Sequence, residues 1–216
     1  MQTSDKGIIA LIGHEGIVPG PYFDSQGILS AYVGHTKAAG GIDPADLPAG
    51  MPVDFDAALR EAFRIFREDL AKFEAEVERA ITVPVEQHEF DAAVSFHFNT
   101  GAIARADWVK KLNAGDRAGA AAAIMNWLRP ASITGRRTAE RDLFQNGTYP
   151  TAPITVWQLG RDRHVVWKPS RRLSPVEALA LLGTRVTFST TSEVDGRWLP
   201  PLINLLIAFL KGKTNV

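Results

Sequence analysis

Along residues 54–81 the apolar positions fall at Phe55, Leu59, Phe63, Phe66, Leu70, Phe73 and Val77. Steps of three and four place them on one face of a long helix, and charged residues fill the opposite, solvated face. Ahead of it, Ser4 is placed to cap a first helix whose apolar face is Gly7, Ile8, Leu11 and Ile12. Gly13 and Gly16 weaken that helix near its end, where Glu15 stands. Residues 17–36 change character: glycines, prolines and alternating apolar residues predict short strands and turns, and 40–52 predict a loop. Pro84 is placed to open a further helix and Gly101 to close it, around a stripe of Phe90, Ala93, Val94 and Phe98. Residues 108–112 and 117–128 suggest two helices joined at NAGD, and 138–144 a last short one. Beyond a boundary at 149–153, ITVWQ and HVVWK are spaced to pair as strands around GRDR. SPVEALALL follows as a helix with Ser174 as cap and Pro175 in the first turn. Residues 185–196 read as strand or linker, and 198–213 as an apolar helix after Pro200 and Pro201. No internal repeat is present. The class is α+β: a small β-hairpin lobe with a mainly helical lobe over residues 1–150, then a C-terminal extension, 151–216, of unassigned fold.

Composition narrows the chemistry. The 216 residues are 45% hydrophobic and 22% charged, enough for a substantial core and without a signature of disorder. There is no cysteine, which excludes a disulfide framework, a thiolate metal site and a cysteine nucleophile. Net charge is zero but uneven: residues 1–150 hold 15 Lys and Arg against 20 Asp and Glu, and residues 151–216 hold 9 against 4. A basic extension on an acidic body suits an anionic partner, or is simply solvated. The N-terminal apolar run, Gly7 to Gly13, is too short for a signal peptide, and His14 and Glu15 interrupt it. No run reaches the roughly 18 apolar residues of a membrane span; Trp198 to Leu210 comes nearest. His88 and His97 lie nine apart, which is not a metal-ligand step, so neither metal nor cofactor is expected.

Residues 13–36, GHEGIVPGPYFDSQGILSAYVGHT, hold the candidate chemistry. Glycoside hydrolysis needs one protonated carboxylic acid for the leaving oxygen and a second carboxylate to activate water or attack the sugar. A glutamate at a helix end facing a strand lobe is open to partial desolvation, which keeps it protonated. An aspartate in a polar hairpin stays ionised, and a nearby hydroxyl holds the attacking water. Glu15, Asp24 and Ser30 suit these three roles, although two acids and a serine over sixteen residues also arise by chance in a turn-rich surface.

The same residues resemble the active-site segment of phage-type lysozymes, glycoside hydrolase family 24. That family has a Glu, an Asp nine residues on, a Thr six beyond, and a Gly-His pair close behind; Glu15, Asp24, Ser30 and Gly34-His35 fit without a gap. FDAAVSFHFNTGA (90–102), VKKLNAGD (109–116) and GRRTAERDLFQNGTY (135–149) are similar to its helical lobe, so the resemblance covers about residues 4–149. It implies Glu15 as general acid, Asp24 as the carboxylate that positions or activates water, and Ser30 at the family's threonine position. Tyr32 stands where many members have glycine and is expected to line or partly fill the cleft. PGP at 19–21 replaces longer, often basic side chains. His35 is expected to brace the hairpin or face substrate, and Asn99 to cap a helix or contact ligand. Arg137 resembles the family arginine near the cleft, where it would pair with Glu15 or hold a substrate group; a surface salt bridge is an equal alternative. His14 reads as a surface residue, and Phe96, Phe98 and Trp127 as core.

The implied activity is a muramidase cutting peptidoglycan between N-acetylmuramic acid and N-acetylglucosamine with inversion, its two carboxyl groups roughly 6.5–9.5 Å apart. Two rivals stand beside it: a silent lysozyme-fold scaffold that binds peptidoglycan or membrane through its tail, and a lytic transglycosylase, against which Asp24 counts. The expected partner is peptidoglycan, with no nucleic acid, and the expected state is a monomer. For the extension three readings stay open: docking on the body, lying on an anionic membrane surface, or binding wall or a partner protein. The apparent lack of a signal sequence fits synthesis in the cytoplasm and action at the wall after release by another protein.

Overall fold

The structure, a computed structural model, describes residues 1–183, which form one compact unit from Met1 to Gly183. Helix α1 (Asp5–Glu15) starts at Ser4, whose Oγ accepts the Gly7 N–H at 3.0 Å. It stops at Gly16, whose φ of 76° turns the chain out of the helix directly after Glu15. Three short strands follow, β1 (Val18–Phe23), β2 (Leu29–Tyr32) and β3 (His35–Thr36), in one antiparallel sheet of order β1-β2-β3. Helix α2 (Phe55–Ala80) then runs 26 residues from Asp54, whose carboxylate accepts the Ala57 N–H. Its stripe Leu59, Phe63, Phe66, Leu70 and Val77 is buried as the spacing predicts, with Phe55 and Phe73 at its margin.

Helix α3 (Gln87–Thr100) is the axis of the helical lobe, and every residue from Glu89 to His97 is buried. It opens at Glu86, in a capping box with Glu89, two residues past Pro84. It closes at left-handed Gly101. Helices α4 (Asp107–Asn113), α5 (Arg117–Ile124) and α6 (Thr134–Asn146) pack around it. Phe96, Trp108, Trp127 and Phe144 meet edge to face between them, a geometry that adds to the burial of each ring. Helix α6 begins a full turn earlier than residues 138–144 suggest, and α5 ends at Ile124 rather than 128.

Asp91, on α3, ties the chain's start to the end of this lobe. It accepts from the backbone N–H of Ser4 at 2.9 Å, the Ser4 hydroxyl at 2.5 Å, Gln87 at 2.9 Å and the Tyr149 hydroxyl at 2.7 Å. A Cβ on Gly7 would stand 2.5 Å from Asp91 Cγ, so α1 approaches α3 closely only because residue 7 has no side chain.

The boundary drawn at 149–153 is not a break in this unit. Strands β4 (Ile154–Leu159) and β5 (Val165–Leu173) pair antiparallel around the GRDR turn, and α7 (Pro175–Leu182) starts at a Ser174/Glu177 capping box. Ile154, Val156, Leu173, Ala178 and Leu182 are all buried in the main core. A lone antiparallel pair is marginal in water, and these apolar contacts hold the hairpin to the body. The expectations for 185–196 and 198–213 lie outside the described residues.

Candidate active site

Because α1 ends at Gly16, Glu15 projects from the helix terminus beside the small sheet. It keeps 30% of its side-chain surface in solvent. It lines a cavity of about 260 Å³ with Gly16, Val18, Tyr22, Tyr32, Val33, Gly34, Phe98, Trp157, Val165 and Trp167. The walls are mostly aromatic and apolar, which suits a ligand with hydrophobic faces held by few polar groups.

Beneath Glu15 lies a buried charge network on α3 and α6. Arg136 Nη1 donates to Glu15 Oε1 at 2.5 Å, its Nε to Glu140 Oε1 at 2.9 Å and its Nη2 to the Ser95 carbonyl at 3.0 Å. Glu140, 1% exposed, also accepts from the Ser95 hydroxyl at 2.8 Å and from Arg137 Nη1. A carboxylate this deep is tolerable only with such a full set of donors. The sequence offers Arg137 as one candidate partner of Glu15; the structure puts Arg136 there. Arg137 instead turns into the core, where it bonds Glu140, Asn99 Oδ1 and the Trp127 carbonyl and lies over the Phe96 ring. Adjacent helical residues point about 100° apart, so only one of the two arginines faces α1. Asn99 thus serves as a brace for Arg137.

His14 is not the plain surface residue that its polarity suggests. Half-buried, it has its pKa depressed to about 4 by burial and then by the charges of Arg136 and Arg137, and is neutral at pH 7.

Asp24 stands at the end of β1 and organises the β1–β2 turn. Its Oδ1 accepts the N–H groups of Gln26 at 2.8 Å and Ile28 at 2.9 Å, an aspartate turn that fixes the carboxylate plane. Tyr22 lines the cavity with Glu15. Burial first, then the charges of Asp24 and Glu15, push its phenol up to about 12, so it stays a neutral hydroxyl. Ser30 pairs with Tyr22 across the ladder, and cross-strand partners share a face, but neither Ser30 nor Asp24 is among the residues that line the cavity. Ser30 is 2% exposed, and its hydroxyl makes a long 3.5 Å contact to the Ile28 carbonyl.

Tyr32 lines the cavity, buried, with φ of 59°, a left-handed conformation that favours glycine. His35 lies away from the cavity. Its Nδ1 meets Asp69 Oδ2 on α2 at 2.9 Å and its Nε2 the Ile42 carbonyl at 3.0 Å, so both ring nitrogens are used in bracing β3 against α2. Phe98, which reads as core, reaches the cavity wall. Arg136, Tyr22, Trp157 and Trp167 were not legible as site residues. The one available signal was the four-residue step from Arg136 to Glu140.

The phage lysozyme family model matches residues 13–140, which span Glu15, the sheet and the Arg136–Glu140 network. The endolysin of Acyrthosiphon pisum secondary endosymbiont phage 1 is 33% identical over 158 residues, which cover 68% of this chain and 99% of that protein. The solved endolysin from Escherichia coli O157:H7 phage FAHEc1 superposes with a TM-score of 0.58 at 32% identity, over 69% of this chain and 97% of the other. The muramidase domain of SpmX from Asticaccaulis excentricus gives 0.56 at 26%, over 67% and 98%. With the matched segment covering more than half of its length, this chain belongs to the phage lysozyme family.

Proposed function

We propose that this protein is a muramidase that hydrolyses the β-1,4 bond between N-acetylmuramic acid and N-acetylglucosamine in peptidoglycan and so lyses bacterial walls. The observation that carries the reading is the position of Glu15, at the wall of an aromatic cavity that Tyr22 also lines, with Asp24 on the adjoining hairpin. The likeness to endolysins and to a muramidase domain supports it.

Glu15 gives its proton to the leaving glycosidic oxygen while a water attacks the anomeric carbon from the other face. Asp24 takes that water's proton. Its Oδ1 is committed to the turn, which leaves Oδ2 to face the water. Ser30 holds the water's second side. In the free protein Glu15 is a hydrogen-bond acceptor of Arg136. To act as acid it must carry a proton, so the bond to Arg136 yields as the glycan settles. Arg136 then remains as the fixed base of the site, held by Glu140 and Ser95. Attack by water on the opposite face inverts the anomeric centre, with the two carboxyl groups roughly 6.5–9.5 Å apart.

The protein acts on the wall after release from the cytoplasm by another protein, a reading that the likeness to endolysins supports. Digestion of purified peptidoglycan, with products read by mass spectrometry and the fresh anomer by proton NMR, tests the reading. Reducing muramic-acid ends of inverted configuration are expected. Anhydro ends would make the protein a lytic transglycosylase, and a retained anomer would require a covalent intermediate.

A further inference from the structure

The β4–β5 hairpin lies outside the segment matched by the family model, yet it forms part of the wall beside Glu15. Two backbone bonds latch it there: Ile17 donates to the Thr155 carbonyl at 2.9 Å, and Trp157 donates to the Ile17 carbonyl at 2.8 Å. Ile17 is two residues from Glu15, so the hairpin is registered on the candidate acid itself. At the other end, Phe23 donates to the Arg163 carbonyl at 2.9 Å, next to Asp24. The latch brings the Trp157 indole against Gly16, where a Cβ would meet Nε1 at 2.7 Å. Trp167, on the paired strand, stands edge to face on Trp157 with ring centroids 5.4 Å apart. Both rings line the Glu15 cavity, and Trp167 is 76% exposed.

We infer that Trp157 and Trp167 form a sugar-stacking subsite that the extension adds to the cleft, with one pyranose ring of the glycan strand as occupant. The inference rests on the muramidase reading above. A pyranose presents a face of C–H groups, and an aromatic plate is the surface that takes it while the ring's hydroxyls stay in water. Trp157 supplies a fixed plate, because its backbone is bonded to Ile17 and its ring abuts Gly16. Trp167 supplies the open one. An indole left this exposed beside a cavity gains little burial on folding beyond its edge contact with Trp157, and gains the rest only when something lies on it. Its exposure also separates a platform from a plug, since a plug would sit buried in the cavity.

The test compares wild type, Trp167→Ala and Trp167→Phe in initial rates over a range of peptidoglycan concentrations. Pelleting of the Glu15→Gln protein with the wall, with and without Trp167→Ala, reads binding separately from turnover. Aromatic stacking of this kind is worth about tenfold or more in affinity. Trp167→Ala is therefore expected to raise KM about tenfold, with the larger part of the effect in KM rather than kcat. Trp167→Phe should recover most of it, and pelleting should weaken in parallel. An unchanged KM with unchanged pelleting would overturn the subsite, and a higher kcat/KM in Trp167→Ala would make the hairpin an obstruction. If wild type released no reducing ends, the muramidase reading would fail, while pelleting that still depended on Trp167 would uphold the glycan platform by itself.

Discussion

Arg136 Nη1 donates to Glu15 Oε1 at 2.5 Å, and the same guanidinium is anchored on Glu140 and the Ser95 carbonyl. The candidate acid is therefore held from below by a group that cannot move away. Arg136 is 8% exposed and Glu140 1%. Replacing Arg136 by Met removes one of two arginines from buried Glu140, which keeps Arg137 and the Ser95 hydroxyl, so the cost should be about 2 kcal/mol, that of a charged hydrogen bond rather than of an unpaired buried charge. Glu15→Gln should cost under about 1 kcal/mol, because the amide oxygen still accepts from Arg136 and the side chain is partly solvated. Urea unfolding of the two variants checks the contrast, and equal costs would mean that the network is not held through Arg136.

His14 gives the fold an acid-sensitive point. Its folded pKa is about 4 against an ordinary 6.5. Between those values the unfolded chain binds more protons, so the contribution to stability is full above pH 6.5 and is lost as pH falls toward 4. His14→Gln should flatten the decline in Tm between pH 6.5 and 4 without changing its value at pH 7.5 in the same way. A decline of unaltered slope in the variant would remove His14 from this account.

Gly7→Ala sets two effects against each other. Alanine favours a helix over glycine by about 1 kcal/mol. Its Cβ would meet Asp91 Cγ at 2.5 Å, and Asp91 is fixed by Ser4, Gln87 and Tyr149. Overpacking typically costs about 1–3 kcal/mol, so the variant should be less stable on balance by about 1 kcal/mol. A stabilised Gly7→Ala protein would show that α1 and α3 are not in such close contact.

Tyr32→Gly is a second balance. The left-handed φ of 59° costs a non-glycine residue about 1–2 kcal/mol, which glycine would return. Loss of a buried aromatic costs about 3–5 kcal/mol. Burial wins, and the variant should lose about 2 kcal/mol by urea unfolding while the cavity beside Glu15 widens.

Much of the fold was legible because it follows from periodicity. The α2 stripe, the Ser4 and Ser174 caps, the Gly101 stop and the ITVWQ–HVVWK pairing each rest on neighbours in sequence, and the structure has them. The first turn of α6 escaped because T-G-R-R carries no apolar signal; its buried positions are Arg136 and Arg137, which a hydrophobicity pattern counts as solvent-facing. The same blindness offered Glu15 the wrong arginine. The boundary at 149–153 misled because the hairpin's attachment is a parallel bridge from Val156 to Ile17, a contact over more than a hundred residues that no local pattern encodes. Glu15, Asp24 and Ser30 are proposed from their motif spacing; the aromatic wall beside Glu15 was not legible, since Tyr22, Trp157 and Trp167 come together only in the folded chain.

If Glu15 delivers the proton, its amide isostere should fold and yet fail to turn over. Wild type and Glu15→Gln should be compared on purified peptidoglycan at matched concentration, with reducing ends counted and circular dichroism confirming that both are folded. Muramic-acid reducing ends are expected from wild type, and a loss of nearly all turnover from the variant, with its fold intact. Turnover retained by folded Glu15→Gln would contradict that role for Glu15.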